Sequence, residues 1–112
     1  NKTGGFHMTI LTEIENTVKN NKVMLFIKGT PEEPMCGFSA KVVGILEGME
    51  VDYAWTDVLQ HPEVRQGIKE YAEWPTIPQL YINGEFVGGC DIITEMYVDG
   101  GLENLLTTNN KQ

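Results

Sequence analysis

VMLFIKGTPEEPMCGFSAKVVGILEGM, residues 23–49, is the stretch that decides the fold. Its opening residues, Val23–Ile27, are all apolar and predict a buried strand, and the apolar spacing over residues 39–49 predicts a helix. Cys36-Gly37-Phe38-Ser39 lies where that helix should begin. Unpaired backbone N–H groups and the positive end of the helix dipole at such a position favour thiolate over thiol. We therefore expect Cys36 to carry an activated sulfur.

The motif around Cys36 contains one cysteine. A disulfide within the motif would need a second cysteine three residues later, and that position is Ser39. A single activated sulfur must therefore use a thiol from elsewhere. The alternative is that Cys36 is a small buried hydrophobic residue, as many lone cysteines are. The open approach beside Gly37 and the strand–loop–helix placement favour the functional interpretation.

The composition excludes several classes of function. The 112 residues suffice for one domain with a hydrophobic core, and 16 acidic against 8 basic residues give a net charge of -8. Nucleic acids and anionic membrane surfaces require a cationic footprint, so we expect neither as a partner. Two cysteines are too few for a secreted disulfide scaffold. They predict an intracellular reducing compartment.

The first seven residues, NKTGGFH, precede Met8 and show no targeting pattern. We expect residues 1–7 to be left over from expression or to be the frayed end of a matured precursor. A single domain is then expected over residues 8–112.

The rest of the pattern predicts nine elements in the order α-β-α-β-α-β-β-α-α. Thr9 is expected to cap the first helix and Pro62 to begin the third. Strands joined through a helix should be parallel, and the hairpin signal Asn83-Gly84 predicts an antiparallel pair. The fold class is therefore α/β, a four-stranded mixed sheet flanked by helices. Beyond residues 23–49, the predicted strands cover residues 51–58, 79–82 and 85–87, and the last helical region covers residues 91–106, divided by Gly100-Gly101.

A second candidate segment, Trp74-Pro75-Thr76-Ile77-Pro78, leads into a predicted strand. A proline there belongs at a strand start or on an edge, since it cannot donate to the ladder. A cis bond before Pro78 would turn the backbone N–H and C=O of Ile77 towards an extended peptide. An ordinary loop proline is the alternative.

A third candidate segment, Gly88-Gly89-Cys90-Asp91, precedes the last helical region. Its glycines would let a ligand approach the backbone, and Asp91 is expected to cap the helix. Free N–H groups at a helix start suit a carboxylate, and the side chain of Asp91 suits an ammonium group. The alternative is an ordinary capped helix with a buried Cys90.

Half of the eight cations flank these segments: Lys28, Lys41, Arg65 and Lys69. Arg65 and Lys69 are four residues apart and therefore share a helix face. In an acidic chain this grouping is consistent with a small-anion site, and a solvated helix surface is the alternative.

Taken together, these segments closely resemble the monothiol glutaredoxins of the Cys-Gly-Phe-Ser class. The resemblance runs from about Ile10 to Leu106, and it implies a thioredoxin fold with a cis Pro78. Four segments in a fixed order carry it: Phe26-Ile27-Lys28-Gly29, Cys36-Gly37-Phe38-Ser39, Trp74-Pro75-Thr76-Ile77-Pro78-Gln79 and Gly88-Gly89-Cys90-Asp91-Ile92.

The resemblance also implies a glutathione groove. Lys28, Arg65 and Lys69 would hold the glycine carboxylate. The Ile77 backbone, beside Pro78, would pair with the cysteinyl unit, and Cys90 and Asp91 would hold the γ-glutamyl end.

Proteins of this class typically carry a [2Fe–2S] cluster between two protomers, ligated by Cys36 and one glutathione thiolate from each. The count of thiols agrees, because such a cluster requires four thiolates and one exposed cysteine per chain cannot supply them. The implied partners are a second copy of the chain, acceptor apoproteins and BolA-like proteins.

Three functions follow from these patterns. The leading hypothesis is an iron–sulfur cluster carrier. The second is glutathione-dependent thiol–disulfide exchange, in which Cys36 attacks a mixed disulfide and free glutathione resolves it. Ser39 and the seven-residue loop over residues 29–35 weigh against efficient turnover, so we expect at most weak oxidoreductase activity. The third, an interaction module with an incidental cysteine, leaves the Pro78 and Asp91 segments unexplained.

Overall fold

A mixed four-stranded sheet lies at the centre of the molecule. The computed structural model describes residues 2–107, and for residues 2–8 it describes the backbone alone. The strands are β1 (Val23–Ile27), β2 (Ala54–Asp57), β3 (Gln79–Ile82) and β4 (Glu85–Gly88). The helices are α1 (Lys2–Lys19), α2 (Gly37–Gly48), α3 (Pro62–Ala72), α4 (Cys90–Asp99) and α5 (Gly101–Thr107). The predicted element order is confirmed.

The strand order across the sheet is β2-β1-β3-β4. Strand β1 pairs in parallel with β2, with Met24 opposite Ala54. It pairs antiparallel with β3, which in turn pairs antiparallel with β4. The α/β class with a four-stranded mixed sheet is therefore confirmed, and β1 is an interior strand with neighbours on both sides.

Helices cover both faces of the sheet, which explains the unbroken apolar run of β1. Its alternate residues enter two separate cores. The α2 core comprises Val23, Leu25, Ile27, Val42, Val43, Leu46, Leu80, Ile82, Ile93 and Leu102. The α1 core comprises Ile10, Ile14, Val18, Met24, Phe26, Val58, Ile68, Ile77 and Tyr81.

Helices α1 and α3 approach each other closely at Gly67. A side chain beginning at that position would place its Cβ 2.6 Å from Cγ2 of Ile10, so only glycine fits without a shift of the Ile10 side chain. This contact holds α3, and the loop that follows it, against the α1 face of the sheet.

The predicted starts of α1, β2 and α4 were wrong, whereas the start of α2 (predicted at residue 39, found at Gly37) and the end of β4 (predicted at residue 87, found at Gly88) differ by two residues and one residue. Helix α1 begins at Lys2, so Thr9 is not its cap. Strand β2 begins at Ala54 and not at residue 51, because the N–H of Val51 still donates to the C=O of Leu46 in α2 at 3.1 Å. Helix α4 has Gly89 as its N-cap, so Asp91 does not cap it.

The expectation that residues 1–7 stand outside the domain stays a prediction, since their side chains lie outside the described part of the chain. The same holds for residues 108–112 of the expected domain. Among the described residues, none of the helices combines the length and apolar character needed to cross a membrane.

Candidate functional site

A groove of about 580 Å³ runs between the start of α2, the loop before β3 and the start of α4. It brings together residues that lie far apart in the sequence. Seven of the eight predicted site residues line it: Lys28, Cys36, Lys69, Ile77, Pro78, Cys90 and Asp91. Arg65 is exposed on α3 and is not among the lining residues, so its predicted role in carboxylate binding gains no support from this placement.

Cys36 is the N-cap residue of α2, with an extended backbone (φ -156°, ψ 136°). Its thiol forms no hydrogen bond of full capping geometry, yet it lies beside the first N–H groups of the helix. The backbone N–H of Ser39 is the main cause that lowers the pKa of Cys36, helped by the N–H of Phe38 and the charge of Lys28. Partial burial opposes this shift. The pKa of Cys36 is therefore shifted in the predicted direction, which favours the thiolate.

The surroundings of the sulfur are open and apolar. Met35 is 67% exposed and Phe38 is 62% exposed. Apart from its chain neighbours and the backbone of its own helix, nothing lies within 4 Å of the position where a side chain at Gly37 would begin. A large partner can therefore approach the Cys36 sulfur, and two apolar side chains beside it are available for contact.

Ser39 has a structural role besides replacing a second cysteine. Its side chain is fully buried, and its Oγ accepts a hydrogen bond from the backbone N–H of Lys28 at 3.1 Å. This bond joins the end of β1 to the first turn of α2. The Ser39 hydroxyl also contributes to lowering the pKa of Cys36.

The loop over residues 29–35 is held closed, which positions Cys36. Gly29 has φ +92°, and a Cβ there would lie 2.5 Å from the C=O of Glu33, so glycine is required. The carboxylate of Asp57 accepts the Gly29 N–H at 2.8 Å, and the N–H of Met35 donates to the C=O of Lys28 at 2.9 Å. The chain therefore returns to the end of β1 just before the cysteine.

The peptide bond between Ile77 and Pro78 is cis, which confirms the prediction. The side chain of Ile77 is buried in the α1 core, whereas the residue also lines the groove. Among the described backbone and the side chains of residues 9–107, no hydrogen bond is found for the backbone N–H or C=O of Ile77. These two groups are available to an extended ligand.

Gln79 holds the loop before β3 in place and was not predicted as a site-supporting residue. Its fully buried side chain donates from Nε2 to the C=O groups of Trp74 and Thr76, both at 3.2 Å. Its Oε1 accepts from the hydroxyl of Tyr81 at 2.9 Å. Burial raises the pKa of Tyr81, so this hydroxyl stays protonated and donates. A polar residue at the start of an apolar strand was the available sequence signal.

The start of α4 forms the remaining wall of the groove. Cys90 is the first helical residue, and Asp91 lies exposed in the first turn. The first intrahelical bond runs from the N–H of Ile93 to the C=O of Gly89 at 2.9 Å. The preceding N–H groups of the helix therefore have no acceptor within it. Such a position favours a carboxylate.

Two of the four predicted cations, Lys28 and Lys69, line the groove. Lys41 and Arg65 are exposed on α2 and α3 and do not. Only two of the four cations that were grouped from the sequence therefore lie at the groove. The groove combines two cations, one activated thiol, an unpaired backbone edge and a helix start, which suits a short extended peptide with carboxylate groups.

A glutaredoxin family model matches residues 23–87 of the chain. The "Probable monothiol glutaredoxin 2" of Rickettsia felis is 58% identical over 93 residues, which cover 83% of this chain and 89% of that protein. The "Monothiol glutaredoxin-5, mitochondrial" of Saccharomyces cerevisiae is 54% identical, covering 83% of this chain and 64% of that protein.

Solved structures agree with this assignment. A monomeric truncated mutant of Trypanosoma brucei 1-C-Grx1 superposes with a TM-score of 0.79 at 49% identity, covering 86% of this chain and 87% of that chain. The buckwheat glutaredoxin–glutathione complex has the same fold, with a TM-score of 0.81 at 23% identity and 90% of each chain covered. The thioredoxin fold of the glutaredoxin type is therefore confirmed, and this chain belongs to the glutaredoxin family, in its monothiol class.

Proposed function

We propose that this protein binds glutathione and carries a glutathione-ligated [2Fe–2S] cluster, which it passes to acceptor apoproteins. The cluster is held between two protomers, with Cys36 and one glutathione thiolate supplied by each. Cys36 carries the proposal, because its partly buried, activated sulfur is the helix-start thiol that faces an open groove. The cluster is cargo, and the protein supplies its temporary ligands.

The donor set supports sharing of the cluster. The side chains described, those of residues 9–107, include no group of three or more that could hold a metal ion. A [2Fe–2S] cluster is bound by four thiolates, so one chain would contribute one of them. Two chains and two glutathione molecules complete the set. Exposed ligands that are not part of the protein can exchange without unfolding it, which is what transfer to an acceptor requires.

The groove supports glutathione as the second ligand. The ammonium groups of Lys28 and Lys69 suit its glycine carboxylate, and the unpaired backbone of Ile77 suits its cysteinyl unit. The start of α4 at Cys90 and Asp91 suits the γ-glutamyl end. The buckwheat relative was solved as a complex with glutathione, and the same small peptide is proposed for this chain.

Reconstitution under anaerobic conditions tests the proposal. The protein is mixed with iron, sulfide and a reductant that is not a thiol, with and without glutathione, and followed by visible circular dichroism and native mass spectrometry. We expect a dimer with one cluster and two glutathione molecules when glutathione is present, and a colourless monomer when it is absent. A monomer that holds a complete cluster would contradict the proposal.

Thiol–disulfide exchange is a second candidate function, favoured by the lowered pKa of Cys36. The Cys36 thiolate would attack the glutathione sulfur of a mixed disulfide, taking over the glutathionyl group and releasing the client thiolate. Free glutathione would then attack that sulfur, restoring the Cys36 thiolate and forming glutathione disulfide. Because Ser39 cannot act as a resolving thiol, we expect slow turnover in a glutathione-coupled assay.

BolA-like proteins as further partners, and the bacterial cytoplasm or mitochondrial matrix as the location, are part of the same proposal. Both rest on the family assignment. Pull-down of a BolA-like protein by the cluster-loaded dimer, compared with the apo protein, would test the first of them.

A further inference from the structure

The outer edge of strand β2 is open. Within the described part of the chain, β2 is the first strand of the sheet and pairs with β1 alone. The N–H of Val58, just after β2, donates to the C=O of Ile27 at 2.8 Å. Alternate residues of a strand bond to the same neighbour in a parallel ladder, so Thr56 bonds to β1 and Trp55 directs its N–H and C=O outwards. Neither of these two groups has a hydrogen-bond partner among the described backbone and the side chains of residues 9–107.

A groove of about 660 Å³ lies beside this edge. Its lining residues come from the loop before Cys36, from α2 and from the chain around the start of β2: Thr30, Pro31, Glu32, Glu47, Val51, Asp52, Tyr53 and Trp55. The loop wall is held by two backbone bonds, from the N–H of Thr30 to the C=O of Glu33 at 3.2 Å and from the N–H of Glu33 to the C=O of Thr30 at 3.1 Å. On the other wall, the hydroxyl of Tyr53 donates to the carboxylate of Glu47 at 2.7 Å. Both walls are therefore in place without a partner.

The charged residues of this groove all have the same sign. Glu32, Glu47 and Asp52 line it, and its lining residues include no lysine or arginine. Trp55 lies on the α2 face of the sheet, as its strand partner Leu25 does, and it is 43% exposed. A second copy of this chain, with its net charge of -8, would bring the same carboxylates against these. Charge complementarity therefore favours a cationic partner, and the open strand edge favours an extended one.

We propose that the open edge of β2 is a docking surface for an extended basic segment of a partner protein. The segment adds to β2 as a further strand and pairs with the N–H and C=O of Trp55. Its arginine or lysine side chains on the α2 face contact the Trp55 indole and the carboxylates of Glu32 and Asp52. This groove shares no lining residue with the groove at Cys36. The docking surface is therefore independent of the proposed binding of glutathione, and both grooves can be occupied together.

A short peptide of alternating arginine and valine residues, with both ends blocked, is a suitable probe. In a titration of the wild-type protein followed by ¹H–¹⁵N NMR, we expect saturable shifts centred on β2 and the groove beside it. The counterpart with glutamate in place of arginine should not bind. Hydrogen exchange of single amides tests strand addition directly. The Trp55 N–H should exchange rapidly in the free protein and become protected when the peptide is bound, whereas the Thr56 N–H should be protected in both states.

The variants Trp55→Ala and Leu59→Ala test the aromatic contact. Trp55→Ala should weaken binding of the arginine peptide about fivefold, the order expected for one cation–π contact at an exposed site. Leu59→Ala is the matched control, because Leu59 follows β2, is 39% exposed and does not line the groove. It should leave the affinity unchanged. The Tm of each variant verifies that it is folded.

The charges are tested without changing the strand. The double variant Glu32→Gln, Asp52→Asn should also bind the arginine peptide about fivefold more weakly, the order for two exposed ion pairs. Its affinity should depend less on salt concentration than that of the wild type. Glu85→Gln is the control, because Glu85 lies on β4 at the opposite edge of the sheet, and it should leave both properties unchanged.

The proposal is overturned if the arginine peptide does not bind, or if the glutamate peptide binds equally well. Saturation by the arginine peptide while the Trp55 N–H exchanges as fast as in the free protein would also overturn it, as would an affinity that Trp55→Ala and the double variant leave unchanged. Dimerisation that protects the Trp55 N–H without peptide would assign the edge to a second copy and so contradict a basic partner. Peptide binding with these features in a protein that fails to bind glutathione would support the docking surface while the proposed function fails.

Discussion

Two helices of this protein start with a cysteine in the same groove, and a shift of one residue gives the two sulfurs different surroundings. Cys36 is the N-cap of α2, and Cys90 is the first helical residue of α4. A side chain at the N-cap points towards the N–H groups of the next turn.

The chemical consequence differs accordingly. The thiol of Cys36 lies beside the N–H groups of Ser39 and Phe38, which lower its pKa. Cys90 instead packs against the α2 core as a partly buried residue, and it also lines the groove. The comparison shows that the cap position places the Cys36 sulfur beside the N–H groups that lower its pKa, whereas the residue that begins α4 packs against the core.

The largest expected effect, on cluster binding, comes from replacing each cysteine by serine in turn. Cys36→Ser should abolish binding of the [2Fe–2S] cluster, whereas Cys90→Ser should retain most of it, because Cys36 occupies the cap position. Visible circular dichroism and iron content after anaerobic reconstitution measure both. Loss of the cluster in the Cys90 variant together with its retention in the Cys36 variant would invert the comparison.

The next largest effect should come from the cation beside Cys36. Lys28→Ala should weaken glutathione binding about tenfold to a hundredfold, because it removes one charge-assisted hydrogen bond of roughly 1.5–3 kcal/mol. Titration calorimetry measures the affinity, and the melting temperature of the apo protein should be unchanged. Lys41→Ala is the matched control, since Lys41 is exposed on α2 and does not line the groove. Equal affinity of the two variants would remove Lys28 from the site.

A third change acts on the helix start itself. Ser39→Ala should raise the pKa of Cys36, because the Ser39 hydroxyl helps to lower it. It should also reduce the free energy of unfolding by roughly 1–3 kcal/mol, the usual cost of leaving a partly buried donor unpaired, here the Lys28 N–H. The rate of Cys36 alkylation as a function of pH, in the Cys90→Ser background, measures the first effect, and urea unfolding measures the second. An unchanged alkylation profile would mean that the hydroxyl has no influence on the thiol.

The smallest expected effect is a pH dependence of stability. The pKa of Cys36 is lower in the folded state than the 9.0 of an ordinary cysteine, so the folded state releases its proton first. The stability contributed by the thiolate should therefore grow as the pH rises from the folded pKa towards 9.0, and should be lost as the pH falls through the folded pKa. Comparing wild type with Cys36→Ser in urea, under a reductant, isolates this difference. A difference that stays constant over this window would show that the cap position does not stabilise the thiolate.

The elements were predictable wherever local patterns were strong. The bounds of β1 and β3 follow from apolar runs between turn residues. The turn between β3 and β4 follows from Asn83-Gly84, which adopts φ 55° and 83°. The predicted start of β2 at residue 51 was wrong because the N–H of Val51 is hydrogen-bonded to α2. Side-chain alternation does not reveal such a bond, and β2 begins at Ala54. The cap of α4 was misplaced because Gly89 caps with its backbone and contributes no side chain to the pattern.

Local patterns in the chain were enough to predict the order of the elements, the lone cysteine at a helix start and the segments that line the groove, because each depends on residues that are close in the chain. Which long side chains reach the groove depended on three-dimensional packing, as the difference between Lys69 and Arg65 shows. The same packing placed the Gln79 amide against the loop before β3. These outcomes depend on packing between elements that are distant in sequence, and no local pattern encodes the distance between two such elements.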